Sequence, residues 1–198
     1  EPPRREDARV GADDVQAAIA FDGTTAFHLS VPCLVFGTSI GTSSARLFET
    51  VVCAEQLGPM QTSAGFAIAA QHDLSALQDA DIVVMPSWHD DFRAAPGPLL
   101  DGLRSAHERG ALVVGLCLGA FPLAEAGLLD GKTVTTHWEA TSLLGQRHSK
   151  VTVDRDVLYV DGGNILPSAG VAAGLDFCLY LVRRLCGADI ANKLARKI

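Results

Sequence analysis

The run Ala111-Leu112-Val113-Val114-Gly115-Leu116-Cys117-Leu118-Gly119-Ala120 (residues 111–120) decides the fold. Ala111 to Val114 is a continuous apolar stretch, and continuous rather than alternating runs are what parallel strands covered on both faces require. It leads straight into Cys117, which has a glycine two positions to either side, Gly115 and Gly119. A strand that turns sharply into a helix needs small residues at those two positions, because side chains there collide in the strained bend. The spacing predicts a cysteine nucleophile elbow. The positive end of the following helix favours the thiolate, and the backbone N–H of Leu118 is placed to hold an oxyanion.

Working outward, strands and helices alternate. Val15 to Phe21 reads as a first strand, closed by the turn Asp22-Gly23, and Phe27, Val31, Leu34 and Val35 share a helical stripe. Pro32 falls inside that stripe and is expected at an early turn or a kink. Val51 to Ala54, Gly65 to Ala70 and Asp81 to Met85 are strand-like, the last stopping at Pro86; Leu99, Leu100 and Leu103 follow at helical spacing. Beyond the elbow the pattern predicts a helix over 120–129, an extended piece over 132–136 and a short helix from His137 to Leu144. A hairpin of Lys150–Val153 with Val157–Val160 comes next. Ser168 is expected to cap a long helix running to about Leu185. This order specifies an α/β doubly wound, mainly parallel sheet flanked by helices.

Composition narrows the class. The 198 residues suffice for one substantial core, and a net charge of −7 argues against a surface built to grip DNA or anionic membrane. No apolar run reaches bilayer length and no basic-then-apolar leader opens the chain, so a cytoplasmic protein is the expectation. Five cysteines without a C-x-x-C pair read as reduced thiols, not a disulfide framework or zinc site; Cys33, Cys53, Cys178 and Cys186 lie in apolar stretches and read as core. No metal or cofactor is expected. Residues 1–14, which lack an initiator methionine, read as a mobile leader of a processed or trimmed chain, 15–187 as the domain and 188–198 as a basic C-terminal helix.

The stretches GLCLGAFPLAEAGLLDGKTVTTHW (115–138), FDGTTAFHLSVPCLVFG (21–37), ADIVVMPSW (80–88) and LYVDGGNILPSAGVAAGLDFCLYLVRR (158–184) carry a resemblance. They are similar to the ThiJ/PfpI branch of the class I glutamine-amidotransferase-like superfamily. More narrowly, they resemble the N-terminal domains of AraC/XylS-type transcription regulators. The resemblance implies a flavodoxin-like sheet, a homodimer, and two helix-turn-helix motifs beyond Ile198 that would contact DNA in place of this portion. It makes residues 188–198 the start of a linker. It also implies a small-molecule effector; amines and amino-acid derivatives are associated with such regulators.

In enzymatic members of that superfamily, an acidic residue on the first helix, a histidine and a Gly-rich loop surround the cysteine. Matched by motif, the histidine is His137, a general base or thiolate partner, or else simply a residue capping the helix that follows. The other two parts depart from the pattern. His28 stands where the carboxylate is expected, and Pro86-Ser87-Trp88 replaces a Pro-Gly-Gly loop, with Trp88 expected as a wall or lid near Cys117. Pro167 likewise replaces a threonine of the tail motif. The candidate pocket residues are therefore His28, Ser87, Trp88, Cys117, Leu118, His137, Trp138 and Ser168, with Cys117 and His137 as a reactive or vestigial catalytic pair. Glu139 reads as a first-turn residue, not a triad acid, and Trp88-His89-Asp90-Asp91 as a polar loop, not a metal site.

Two functions follow. The leading one is a sensing domain whose elbow floors a ligand pocket. The alternative is a stand-alone cysteine enzyme (a hydrolase, an isonitrile-hydratase-like or a glyoxalase-like protein) working through Cys117 and His137. Oxidation of Cys117 as a redox signal is compatible with both.

Overall fold

The computed structural model describes residues 14–40 and 46–198. In chain order the first elements are β1 (Val15–Ala20), α1 (Ala26–Gly37), β2 (Glu49–Ala54), β3 (Gly58–Gln61), β4 (Ala67–Ala70), β5 (His72–Asp73), β6 (Ile82–Met85) and α2 (Gly97–Glu108). Next come β7 (Leu112–Leu116), α3 (Ala120–Glu125), β8 (Thr133–Val134), α4 (Thr141–Arg147) and β9 (Thr152–Val153). β10 (Ile165–Ser168), α5 (Val171–Cys186) and α6 (Ala188–Ala195) complete the order.

The main sheet has the order β10-β7-β6-β1-β2-β5, and every pairing in it is parallel. Side chains alternate across it with the strand's period of two. Ala17, Ile19, Val83, Met85 and Val113 point into a core shared with α2 and α3. Val84, Val114, Leu116 and Leu166 point into a second core against α1, α5 and α6. Both faces are covered, as the continuous apolar runs predict, and the doubly wound class stands.

The chain builds outward from β1 in one direction, through β2 to β5, then returns to lay β6, β7 and β10 on the other side. The order therefore reverses between β1 and β6. In open parallel sheets the crevice outside the carboxyl ends of the strands at such a reversal is where ligands bind. The loops leaving β1 at Phe21 and β6 at Pro86 flank that point, and the elbow ends the next strand over.

Several local expectations are corrected. Of the two placements expected for Pro32, the early turn is excluded, since it sits buried within α1 beyond the first turn. Having no N–H, it cannot donate to the carbonyl four residues back, which is that of His28. The helix after the elbow is shorter than expected, ending at Glu125 in a turn whose Gly127 has φ 77. Residues 150–153 and 157–160 do not form a hairpin; β9 pairs in parallel with β8. Ser168 belongs to strand β10, opposite Leu116, and Gly170 takes the N-cap position of α5 without a side-chain cap. The antiparallel hairpin β3–β4 was only half legible, through its second strand. The expected mobile leader lies, except for Asp14, outside the described residues. Among the described residues no helix is long and apolar enough to cross a membrane.

Candidate functional site

Cys117 follows β7 directly and opens a short 3-10 turn into α3. Its φ of 52 is in the left-handed region, which a non-glycine residue enters only at a cost of roughly 1–3 kcal/mol. The two glycines make the bend possible. A Cβ on Gly119 would lie 2.2 Å from the Met85 carbonyl oxygen, and one on Gly115 would lie 3.0 Å from Leu123 Cδ2 and 3.2 Å from the Ala120 nitrogen. The elbow is thus wedged against the end of β6. Two hydrogen bonds tie its backbone down: the Cys117 N–H donates to the Ala169 carbonyl at 3.3 Å, and the Thr136 hydroxyl donates to the Cys117 carbonyl at 2.7 Å. Thr136 was not among the residues singled out from sequence, although its motif was.

Because α3 has only six residues, the dipole expected to favour the thiolate is that of a short helix. Cys117 itself is 4% exposed. Of the four remaining cysteines, Cys53 and Cys178 are core thiols, while Cys33 and Cys186 are half-buried and Cys33 lines an open groove beside α1. Burial pushes Cys33 up to about 11 and Cys53 up to about 12, and raises Cys178 and Cys186 as well. No disulfide joins any of the five.

His28 lies in the first turn of α1 and is 8% exposed. Neither ring nitrogen has a hydrogen-bond partner among the protein's own groups. A buried polar atom left with no partner at all costs about 1–3 kcal/mol, so both nitrogens are open to a water or a bound molecule. Burial, then the nearby His137, lower the His28 pKa, while Asp90 pulls it the other way. His28, His137 and Asp90 are therefore close enough for their charges to interact, which brings α1, the segment after β8 and the loop after β6 together.

His137 occupies the N-cap position of the 3-10 turn Trp138–Ala140 without making a side-chain cap, so capping does not explain it. Its Nδ1 lies 4.0 Å from a Glu139 carboxylate oxygen. Its ring backs onto Gly170, where a Cβ would come within 2.8 Å of the imidazole. Trp138 projects into solvent, 72% exposed.

Trp88 is buried in the same cluster as Cys117 and Leu118 and stacks at angles on Phe21 and His89, with centroids at 5.1 and 4.8 Å. Ser87 is buried, its hydroxyl turned to the Trp88 carbonyl at 3.4 Å. The Ser168 hydroxyl is buried too and engaged by the Leu158 and Ala169 carbonyls, each at 3.3 Å. It braces the backbone that receives the Cys117 N–H. Among the described residues no group of three or more His, Cys, Asp or Glu could hold a metal ion.

The His28 environment sets a pH dependence. Its pKa is lowered on folding, so the unfolded chain binds the proton more readily, and the neutral ring's contribution is complete above the ordinary value of 6.5. Stability is lost as pH falls from 6.5 through the folded pKa. His89, His107 and His148 are lowered by burial as well and add in the same direction. Melting temperature should fall between pH 7.5 and pH 5, and His28→Gln should flatten part of that slope. An unchanged slope in the variant would show that His28 stays neutral for no energetic reason.

Comparison with known proteins identifies the family of this fold. The HTH-type transcriptional regulator CdhR of Pseudomonas aeruginosa is 29% identical over 153 residues, covering 77% of this chain and 45% of that protein. Isonitrile hydratase of Pseudomonas putida is 32% identical over 144 residues, covering 70% of this chain and 60% of that protein. The chain thus spans about half the length of these curated relatives. The crystal structure of an AraC family transcriptional regulator from Pseudomonas putida superimposes with a TM-score of 0.78 over 93% of this chain and 98% of that one, at 20% identity, a likeness of fold. The DJ-1/PfpI family profile matches residues 17–184, nearly all of the sheet and the whole elbow. With strand, bend and both glycines in place, the chain belongs to the DJ-1/PfpI family.

Proposed function

We propose that this domain is the small-molecule-sensing part of an AraC-family transcription regulator, with the elbow as the floor of its pocket and no turnover there. The observation that carries this reading is His28. At the start of α1, within electrostatic reach of His137, stands a buried imidazole whose burial favours the neutral form and whose nitrogens make no bond to protein, where a proton-sharing carboxylate would serve catalysis. An imidazole held in that state can donate to and accept from a bound molecule, but it brings no fixed negative charge to polarise a thiol.

The similarity to CdhR supports the reading, as does the net charge of −7, which leaves DNA contact to another part of a longer protein. We place such a protein in the cytoplasm and take the segment from residue 188 on as leading toward its DNA-binding part. The pocket residues are those named from sequence apart from Trp138, which projects into solvent, and Ser168, whose hydroxyl is engaged by backbone carbonyls; Thr136 joins them as a brace. The protein is expected to be stabilised by a molecule it does not consume: at a hundredfold excess over Kd, about 2.7 kcal/mol, or roughly 5–10 °C in Tm, with the compound's NMR signals unchanged.

The dimer in this proposal uses α1. That helix is apolar on its solvent side as well as its core side: Leu29, Val31, Val35 and Phe36 are buried while Phe27 and Leu34 lie half-exposed. Large apolar residues left on the outer side of a helix fit a helix that is covered in an assembly. Phe27 borders an open apolar groove of about 370 Å³ that runs between α1 and the β3–β4 hairpin, with Phe66 on its far wall. A second copy of this chain is the occupant we propose for it.

The enzyme reading retains one specific support, the joint presence of Cys117 and His137 in a chain 32% identical to an isonitrile hydratase. Consumption of a substrate in a Cys117-dependent way would establish it.

A further inference from the structure

The loop from Pro86 to Pro96 carries Trp88, and its course is decided at one residue. Phe92 has φ 53, the second non-glycine residue in the left-handed region besides Cys117 among the described residues. A bulky side chain persists there only where its surroundings over-determine it. Three contacts do so. The Arg147 guanidinium, at the end of α4, donates to the Phe92 carbonyl at 2.7 Å and lies over its ring at 5.6 Å from the centroid. The same ring packs on Phe121, in the first turn of α3 after the elbow, at 4.8 Å.

The next carbonyl along, that of Arg93, accepts the Trp88 indole N–H at 2.7 Å. The peptide that Arg147 holds is therefore adjacent to the one that anchors the indole. Relaxation of φ at Phe92 rotates the following backbone and takes the anchor away from Trp88. The other ties are local or remote. The Phe92 N–H closes a turn by donating to the His89 carbonyl at 3.0 Å, the Asp91–Arg93 ion pair is exposed and internal to the loop, and Glu125 fixes the far end by accepting from the Ala95 N–H at 2.7 Å. Of these contacts, that of Arg147 joins the Phe92 peptide to another helix.

We infer that Arg147 is a positioning residue, which through the strained Phe92 holds Trp88 as the wall of the elbow pocket and so sets access to Cys117. This rests on the reading of the elbow as the functional site. Sequence gives no hint of it, since Arg147 lies thirty residues beyond the elbow, on another helix.

The test uses the whole chain carrying Trp138→Phe, so that fluorescence reports Trp88 alone. Acrylamide quenching reads the indole, and the rate of iodoacetamide alkylation at Cys117, located by peptide mass spectrometry, reads the pocket. Arg147→Ala should raise both by about five-fold, the factor by which a modest loss of stabilisation shifts a local opening. Arg147→Lys, which keeps a donor without the planar face, should recover part of both. Native circular dichroism with neither readout changed overturns the inference. Increased quenching with unchanged Cys117 alkylation leaves Arg147 holding Trp88 but removes Trp88 from the elbow, which overturns the underlying reading instead. If Arg147→Ala does not fold, Arg147→Met, which keeps the apolar stem, takes its place with the same expected readouts.

Discussion

Gly119→Ala should destabilise the domain by about 3 kcal/mol, at the upper end of what overpacking costs, because the new methyl group meets backbone. Its Cβ would lie 2.2 Å from the Met85 carbonyl oxygen and 3.1 Å from the Met85 carbonyl carbon. A flexible side chain could swing away from such a clash. The carbonyl of Met85, the last residue of central strand β6 and paired with Gly115 of β7, is backbone and can move only if the sheet end shifts. For a chain of this size the loss corresponds to a fall of roughly 6–12 °C in Tm, read by thermal unfolding. Gly97→Ala is the control: nothing lies within 4 Å of its Cβ and it opens a helix, so alanine there should be neutral or slightly stabilising. Equal melting temperatures for the two variants would mean that the elbow is not wedged against β6 as described.

The double substitution Phe27→Glu with Phe66→Glu should convert the proposed dimer to a monomer. Burying a phenylalanine contributes about 1.5–3 kcal/mol, and a two-fold interface counts every residue twice. Placing four carboxylates in that apolar groove reverses the contribution and adds repulsion between like charges. Light scattering should show the mass fall from twice the chain's 20.8 kDa to that value. Leu158→Glu, at another exposed apolar residue outside the groove, should leave the mass unchanged. A wild-type protein that is already monomeric at the concentrations used removes the proposed dimer.

The elbow and the sheet were legible because their signals are local. A buried parallel strand must be apolar throughout, and a strained bend must have glycines at fixed offsets, so residues 111–120 carry both statements in ten positions. What stayed hidden depends on distant partners. Ser168 looks like a helix cap because a hydroxyl precedes a helical run, yet its backbone is claimed by Leu116 across the sheet and the cap position moves to Gly170. Residues 150–160 alternate like a hairpin, but Thr152 and Val153 find partners in Thr133 and Val134 instead.

The site divides in the same way. Cys117, His28 and His137 stand out in the sequence as motif positions; the structure puts His28 within electrostatic reach of His137, on α1 and on the segment after β8. The Thr136 bond to the Cys117 carbonyl needs a segment nineteen residues on to fold back, which no spacing announces. Phe92 is the clearest omission: nothing about a phenylalanine suggests a left-handed backbone, and the reason for it sits on α4. Ser168, proposed as a ligand contact, is instead turned to backbone carbonyls, so any contact with a ligand would have to compete with them.

The central claim, that the elbow binds without turning over, is tested most directly by incubating the domain with cyclohexyl isocyanide and, separately, with methylglyoxal, and following each by proton NMR. The account predicts no consumption above the buffer control for wild type and for Cys117→Ala alike. Hydration of the isocyanide to its formamide, or conversion of methylglyoxal to lactate, present in wild type and absent in Cys117→Ala, would contradict it.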